Sequence, residues 1–212
     1  VDIDFLIRRF SLTEENIKQR FEKIFQSGND NGITYEIQKI EEIRKEDEYG
    51  GFRITVLCRL ENIRQIIPLD IATGDPITPS EISYEYKSIF SNSLFEICAY
   101  NIETILAEKI QTVYQRGIFN SRSKDFYDIY AILKNKLEVI NIKELKVAVS
   151  MTFSYRKTEV SKDEAKVIVS HINNDSLIIE RWIRYQKKNL YAKGIEFSEI
   201  IDSLNSLIEM VM

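Results

Sequence analysis

The apolar residues of this chain change their spacing once, near residue 100, and that change bounds what it can fold into. Before it, alternation rules: in YGGFRITVLCRLEN, Phe52, Ile54, Val56 and Cys58 take one side of a strand while Arg53, Thr55, Leu57 and Arg59 take the other. After it, apolar residues recur every three or four positions through NIETILAEKIQTVYQRG, SRSKDFYDIYAILKNK, NIKELKVAVSMTF, SKDEAKVIVSHIN, DSLIIERWIRYQKKN and FSEIIDSLNSLIEMVM. Strands followed by helices is an α+β order. It predicts a mixed sheet with flanking helices over residues 1–100 and a helical domain over 101–212. At 212 residues and 44% hydrophobic content, the chain can bury a sizeable core.

Smaller signals divide the first part. SLTEENIKQRFEKIFQSG predicts an amphipathic helix over 13–27, with Ser11 or Thr13 as N-cap and Gly28 as stop. NDNG is a turn into ITYEIQKIEEIRK, a strand with an irregularity, which pairs with the following alternating run across a joint near Glu48–Gly51. RQIIPLDIATGD is a further strand, ending in the turn Thr73-Gly74-Asp75-Pro76.

Composition excludes several classes. No apolar run approaches the roughly 18 residues of a bilayer crossing, and no signal-peptide pattern stands at the start, so the expectation is a cytoplasmic protein without a membrane partner. The lack of an initiator Met is expected to mark a fragment or trimmed sequence. Cys58 and Cys98 are far apart and form no C-x-x-C, so both are expected as reduced core thiols. A net charge of −4 argues against indiscriminate coating of nucleic acid. The charge is uneven, with −6 over residues 1–100 and +2 over 101–212, so the second half is the better candidate for meeting a polyanion.

The acids carry the chemical signal. In VDIDF, Asp2 and Asp4 fall on one face of a strand, where a bland reading is a wet edge strand. Asp70 lies between Leu69 and Ile71, points away from them and stands alone among apolar residues. If the two strands are neighbours in one sheet, three carboxylates meet, and they need a cation. A hard divalent ion takes such oxygen ligands together with substrate phosphates, which fits nucleotidyl transfer. A rival pattern in the same region is Pro68-Leu69-Asp70 followed by Glu85-Tyr86-Lys87, which matches the P-D…E-x-K arrangement of one group of metal-dependent nucleases.

Farther on, Lys109 falls beside the buried stripe Ile102, Ile105, Leu106, Ile110 and Val113, and Asp125 and Asp128 project from neighbouring places on the next helix. The bland readings are a snorkelling lysine and a helix capped by Ser121 or Ser123 with acids in its first turn. Arg181, Arg184, Lys187 and Lys188 interleave with Trp182 and Tyr185. That run reads either as a nucleic-acid contact or as a partly buried helix.

VDIDF, IIPLDIATGD, YNIETILAEKIQTVYQRG and SRSKDFYDIYAI together resemble successive motifs of the AbiEii/AbiGii nucleotidyltransferase toxin family, over about residues 1–135. The resemblance implies a DNA-polymerase-β-like nucleotidyltransferase core and a helical C-terminal domain. It implies Asp2 and Asp4 as metal ligands for Mg²⁺ or Mn²⁺, and Asp70 as third ligand and base for the attacking hydroxyl. Lys109 would meet the nucleotide phosphates, with Asp125 the following motif acid and Arg116 and Asp128 in the nucleotide-binding set. The implied reaction moves a nucleotide from an NTP to an RNA acceptor, expected to be tRNA. The implied protein partner is a cognate antitoxin or its operon regulator. Members carry a Gly-Gly or Gly-Ser helix start upstream of the D-x-D. This sequence begins too late to show that element, and weak nucleotide binding is expected of a protein that lacks it. The alternatives are the P-D…E-x-K-like nuclease and a non-catalytic degenerate toxin acting as a binding module. The three-carboxylate reading also expects Asp70→Asn to abolish transfer while leaving the fold intact or slightly more stable.

Overall fold

The computed structural model describes residues 3–8, 11–27, 32–43, 50–88 and 93–212, and the chain divides into two compact units, Val1–Asp75 and Pro76–Met212. The first unit contains β1 (Ile3–Ile7), α1 (Glu14–Ser27), β2 (Thr34–Ile43), β3 (Gly51–Leu60) and β4 (Ile63–Thr73). Its sheet has the order β1-β4-β3-β2, with β1 parallel to β4 and the other neighbours antiparallel. The irregularity expected in the second strand is a register shift between Ile37 and Lys39. Thr13 caps α1, its hydroxyl accepting from the Asn16 amide at 3.3 Å. The expected stop at Gly28, the NDN of the following turn and most of the β2–β3 joint lie outside the described residues.

Alternation sorts the two faces of this sheet. Ile54, Val56, Leu69 and Ile71 are buried with Ile17 and Phe21 of α1, and the edge of the Phe5 ring meets Phe21 at 6.1 Å. The opposite face carries Asp4, Asp70, Arg53 and Glu41, residues whose registers place them in one row across all four strands. Packing α1 on one face thus leaves the charged row on the other.

The second unit begins with a two-stranded antiparallel ribbon, β5 (Ile82–Lys87) and β6 (Leu94–Ala99). The helices follow: α2 (Ile102–Arg116), α3 (Ser123–Lys136), α4 (Ile142–Tyr155), α5 (Lys162–Asn174), α6 (Ser176–Lys188) and α7 (Phe197–Val211). Six helical runs read from the sequence are six helices here. Residue 100 marks the onset of helix, while the ribbon before it belongs with the helical unit.

α2 is tied down at its start. Asn101 caps it by accepting from the Thr104 amide at 2.7 Å and donates to the carbonyls of Thr78 and Ser80 at 2.8 and 2.9 Å, fixing the preceding loop to the helix. Glu103, buried in its first turn, accepts from the Asn141 amide at 2.8 Å and so anchors the start of α4. The core of this unit gathers Leu106, Ile110, Phe126, Phe153, Trp182 and Leu204 among others. Among the described residues no helix is long and apolar enough to cross a membrane. Cys98, expected in the core, is instead exposed because both strands of its ribbon are exposed along nearly their whole length. Cys58 is half-buried, and burial raises its thiol pKa.

Candidate functional site

Asp4 of β1 stands directly opposite Asp70 of β4 in a parallel register, so both side chains leave the sheet on the same face from strands roughly 4.8 Å apart. The sequence requires this face: Leu69 and Ile71 are drawn into the core against α1, which turns Asp70 the other way. Asp70 is not alone there, as the sequence suggested. Arg53 lies opposite it on β3 and grips it through Nε–Oδ1 at 2.6 Å and Nη2–Oδ2 at 2.7 Å, a two-pronged pair that compensates charge in the row. Arg53 is the residue sequence reasoning missed. Its signal was its place on the polar side of an alternating strand, but that becomes informative only once the β3–β4 register is known. Asp2 lies outside the described residues, and among the described residues no three His, Cys, Asp or Glu side chains are grouped closely enough to hold a metal ion.

The second unit holds a separate cluster. Lys109 of α2 donates to Asp125 Oδ1 at 2.6 Å and meets Asp128 Oδ2 at 3.0 Å, while Lys124 also reaches Asp128 Oδ2, at 2.8 Å. Two structural features bring these groups together. Gly117, at φ +48° and ψ −128°, adopts a backbone conformation that glycine tolerates best, closing α2 before the short Gly117–Phe119 turn. Asp125 and Asp128, one turn apart on α3, then face the same lysine. Neither Ser121 nor Ser123 caps α3; Arg122 occupies that position without a side-chain cap, and Asn120 Oδ1 instead accepts from the Arg122 amide at 3.0 Å.

Asp125 is buried, and its Oδ2 has no hydrogen-bond partner in the structure. Burial, the largest single influence on Lys109, pulls its pKa down, but the hydrogen bonds and charges of Asp125 and Asp128 together outweigh it and leave the pKa raised. Lys109 is therefore a fixed cation near neutral pH. Two carboxylates already compensate its charge, so the cluster is an ion pair that joins α2 to α3.

The remaining predicted residues fall elsewhere. Arg116 is exposed at the last position of α2, where its charge complements the helix dipole, and it has no ion-pair partner among the described residues. Glu85 and Lys87 of the nuclease pattern lie on the exposed strand β5, in a different sheet from Asp70. Their strand is therefore not a sheet neighbour of the strand that carries Asp70.

The chain thus joins a four-stranded mixed sheet, with Asp4 and Asp70 on the face opposite α1, to a helical unit that holds the lysine–aspartate cluster. A family model described as nucleotidyl transferase AbiEii toxin of type IV toxin–antitoxin systems matches residues 1–203, and the chain belongs to this family. Among solved structures it resembles JHP933 from Helicobacter pylori, at 16% identity and a TM-score of 0.51, covering 99% of this chain and 74% of that one. A structure described as a "putative nucleotidyltransferase from H. pylori" is similar at 17% identity and a TM-score of 0.48, over 99% and 76% of the two chains. At 16% identity the likeness to JHP933 shows the fold alone. No curated protein matches the chain.

Proposed function

We propose that this protein transfers a nucleotide from an NTP to a hydroxyl of an RNA acceptor, with tRNA the expected acceptor, as the toxin half of a toxin–antitoxin pair. The observation that carries the reading is the parallel register that sets Asp4 opposite Asp70 on the open face of the sheet. Membership in the nucleotidyltransferase toxin family supports it independently.

The donor chemistry of this row fits a hard divalent cation: Asp4 and Asp70 offer carboxylates from adjacent strands, and the D-x-D motif of the sequence would add Asp2. Asp4, Asp70 and Asp2 would hold Mg²⁺ or Mn²⁺, which supplies charge neutralisation at the reacting phosphate. Arg53 engages both Asp70 oxygens, so it holds the carboxylate in place and competes with any other use of those oxygens. Asp70 is assigned to accept the proton of the attacking hydroxyl. Lys109, kept charged by Asp125 and Asp128, is assigned to the nucleotide phosphates, with Arg116 as a further cation on the same helix. The antitoxin or its operon regulator is the expected protein partner.

The test is transfer of label from each of four α-labelled NTPs to total RNA in the presence of Mg²⁺ or Mn²⁺. Label that appears on RNA and disappears with EDTA supports the reading. An RNA shortened by the protein and unlabelled would favour the nuclease class instead.

A further inference from the structure

Beside the lysine–aspartate cluster stands a group of aromatic rings that the proposed chemistry does not use, two of them, Tyr127 and Tyr185, partly buried against the helical core and the third, Tyr191, exposed. Tyr127 of α3, Tyr185 of α6 and Tyr191 of the short Leu190–Ala192 turn lie with ring centroids 4.8 Å apart for Tyr127–Tyr191 and 6.2 Å for both Tyr127–Tyr185 and Tyr185–Tyr191. Trp182, at 1% exposure, is the packing residue of this helix, and Tyr185 stacks on it at 5.6 Å and 24°. Tyr191 is different: it remains 57% exposed although it is bound on two sides. The Tyr185 and Tyr191 hydroxyls share a hydrogen bond of 2.9 Å, and the Tyr191 hydroxyl is 3.1 Å from Asn189 Oδ1, so the rings are held in orientation before anything binds.

Two further observations indicate what such rings would meet. First, residues 176–195 carry five basic side chains against one acid, Glu180, which lies within 3.8 Å of Arg184. Lys187, Lys188 and Lys193 are exposed and have no ion-pair partner among the described residues. Second, Tyr127 is the immediate neighbour of Asp128 on α3, so the ring group borders the Lys109 cluster. Burial and the bond to Tyr191 raise the Tyr185 pKa, so that phenol stays uncharged at neutral pH. A pre-oriented ring group that exposes Tyr191 and is bordered by lysines without an ion-pair partner among the described residues matches the chemistry of unpaired nucleotides, whose bases stack while their phosphates pair.

We propose that Tyr127, Tyr185 and Tyr191 form a stacking platform for unpaired bases of the RNA acceptor, with Lys187, Lys188 and Lys193 meeting its phosphates. The proposal rests on the reading that the acceptor is RNA and adds where that RNA is held. A paired duplex, whose base faces are covered, is not accommodated.

Direct binding tests it separately from catalysis. A short fluorescently labelled single-stranded RNA is titrated with wild type, Tyr191→Leu and Tyr191→Phe, and a duplex of equal length serves as comparison. The platform predicts that Tyr191→Leu binds single strands about tenfold more weakly, that Tyr191→Phe stays near wild type, and that wild type prefers the single strand. Independently, Lys187→Ala with Lys188→Ala should make the dependence of log K on log salt shallower by roughly 0.7 per lost phosphate contact. Unchanged affinity in Tyr191→Leu, absence of RNA binding by wild type, or a preference for duplex would overturn the proposal. RNA binding through Tyr191 without any transfer would instead retire the transferase reading and leave the platform standing. A Tyr191→Leu protein that weakens NTP binding but not RNA binding would assign the rings to the nucleotide and end the proposal.

Discussion

Lys109 Nζ sits 2.6 Å from Asp125 Oδ1, and the carboxylate it meets is buried with its second oxygen unpartnered. The two residues are 16 positions apart on different helices, so this contact fixes α2 against α3 as well as setting the charge state of the lysine.

The pair is asymmetric. Lys109→Met removes the cation and strands a buried charge, for an expected loss of about 3–5 kcal/mol. Asp125→Asn leaves Lys109 its contact with Asp128 and buries a neutral amide, for an expected loss of about 1–3 kcal/mol. Urea unfolding of the two variants checks the order, and a larger loss for Asp125→Asn would contradict it.

The same pair predicts a pH window. Because the folded pKa of Lys109 is raised, its contribution is complete below the unfolded value of 10.5 and is lost as pH rises through the folded one. The stability difference between wild type and Lys109→Met should therefore be flat from about pH 6 to about pH 9 and shrink only above the unfolded value. Chemical denaturation at a series of pH values measures it.

At acid pH an exposed carboxylate adds a smaller, screened contribution. Hydrogen bonds from Lys162 and Lys166 hold Glu209 of α7 down to about 2, against an ordinary value of 4.5. A depressed carboxylate contributes above its unfolded pKa, and that contribution is lost as pH falls through the folded one. The melting temperature of wild type should fall more steeply than that of Glu209→Gln between those two values, as thermal unfolding at graded pH will register.

Arg53 reverses an expectation drawn from the sequence. Read as an isolated acid near two others, Asp70 should relax when neutralised. Gripped by a guanidinium, it should lose a charge-assisted pair instead. The Arg53 side chain is 49% exposed, so screening limits the cost, and Asp70→Asn is expected to destabilise by no more than about 1 kcal/mol rather than to stabilise. A raised melting temperature would show that carboxylate repulsion dominates after all.

Close packing between strands sets a further expectation. A Cβ at Gly51 would stand 2.7 Å from the Ile71 carbonyl oxygen, adjacent in sequence to Asp70. Gly51→Ala must shift β3 against β4, the pair whose register aligns Arg53 with Asp70. The variant should melt lower than wild type and lose transfer activity together with stability. Unaltered melting would mean that the strands yield without cost.

What the sequence revealed follows from how local each signal is. Period alone placed α1, β2, β3, β4 and all six later helices, because burial of one face imposes a pattern within each element. The β5–β6 ribbon escaped, since both strands are exposed and no buried face imprints a pattern on them. The acids Asp4 and Asp70 stood out as polar residues in apolar runs, but their juxtaposition depended on β1 crossing to pair in parallel with β4. Pairings at long separation, such as Arg53 with Asp70 and Lys109 with Asp125, leave no trace in the spacing of either run. The tyrosine group likewise arises from α3, α6 and the turn after α6, and only Tyr185 was conspicuous beforehand.

The central claim is that the row of Asp4 and Asp70 performs nucleotidyl transfer. Its most direct test is transfer of α-phosphorus label from NTP to RNA by wild type, Asp4→Asn and Asp70→Asn side by side, each first shown to be folded by its melting curve. The account predicts labelled RNA with wild type and loss of label with either folded variant. Full transfer by folded Asp4→Asn or Asp70→Asn would contradict it.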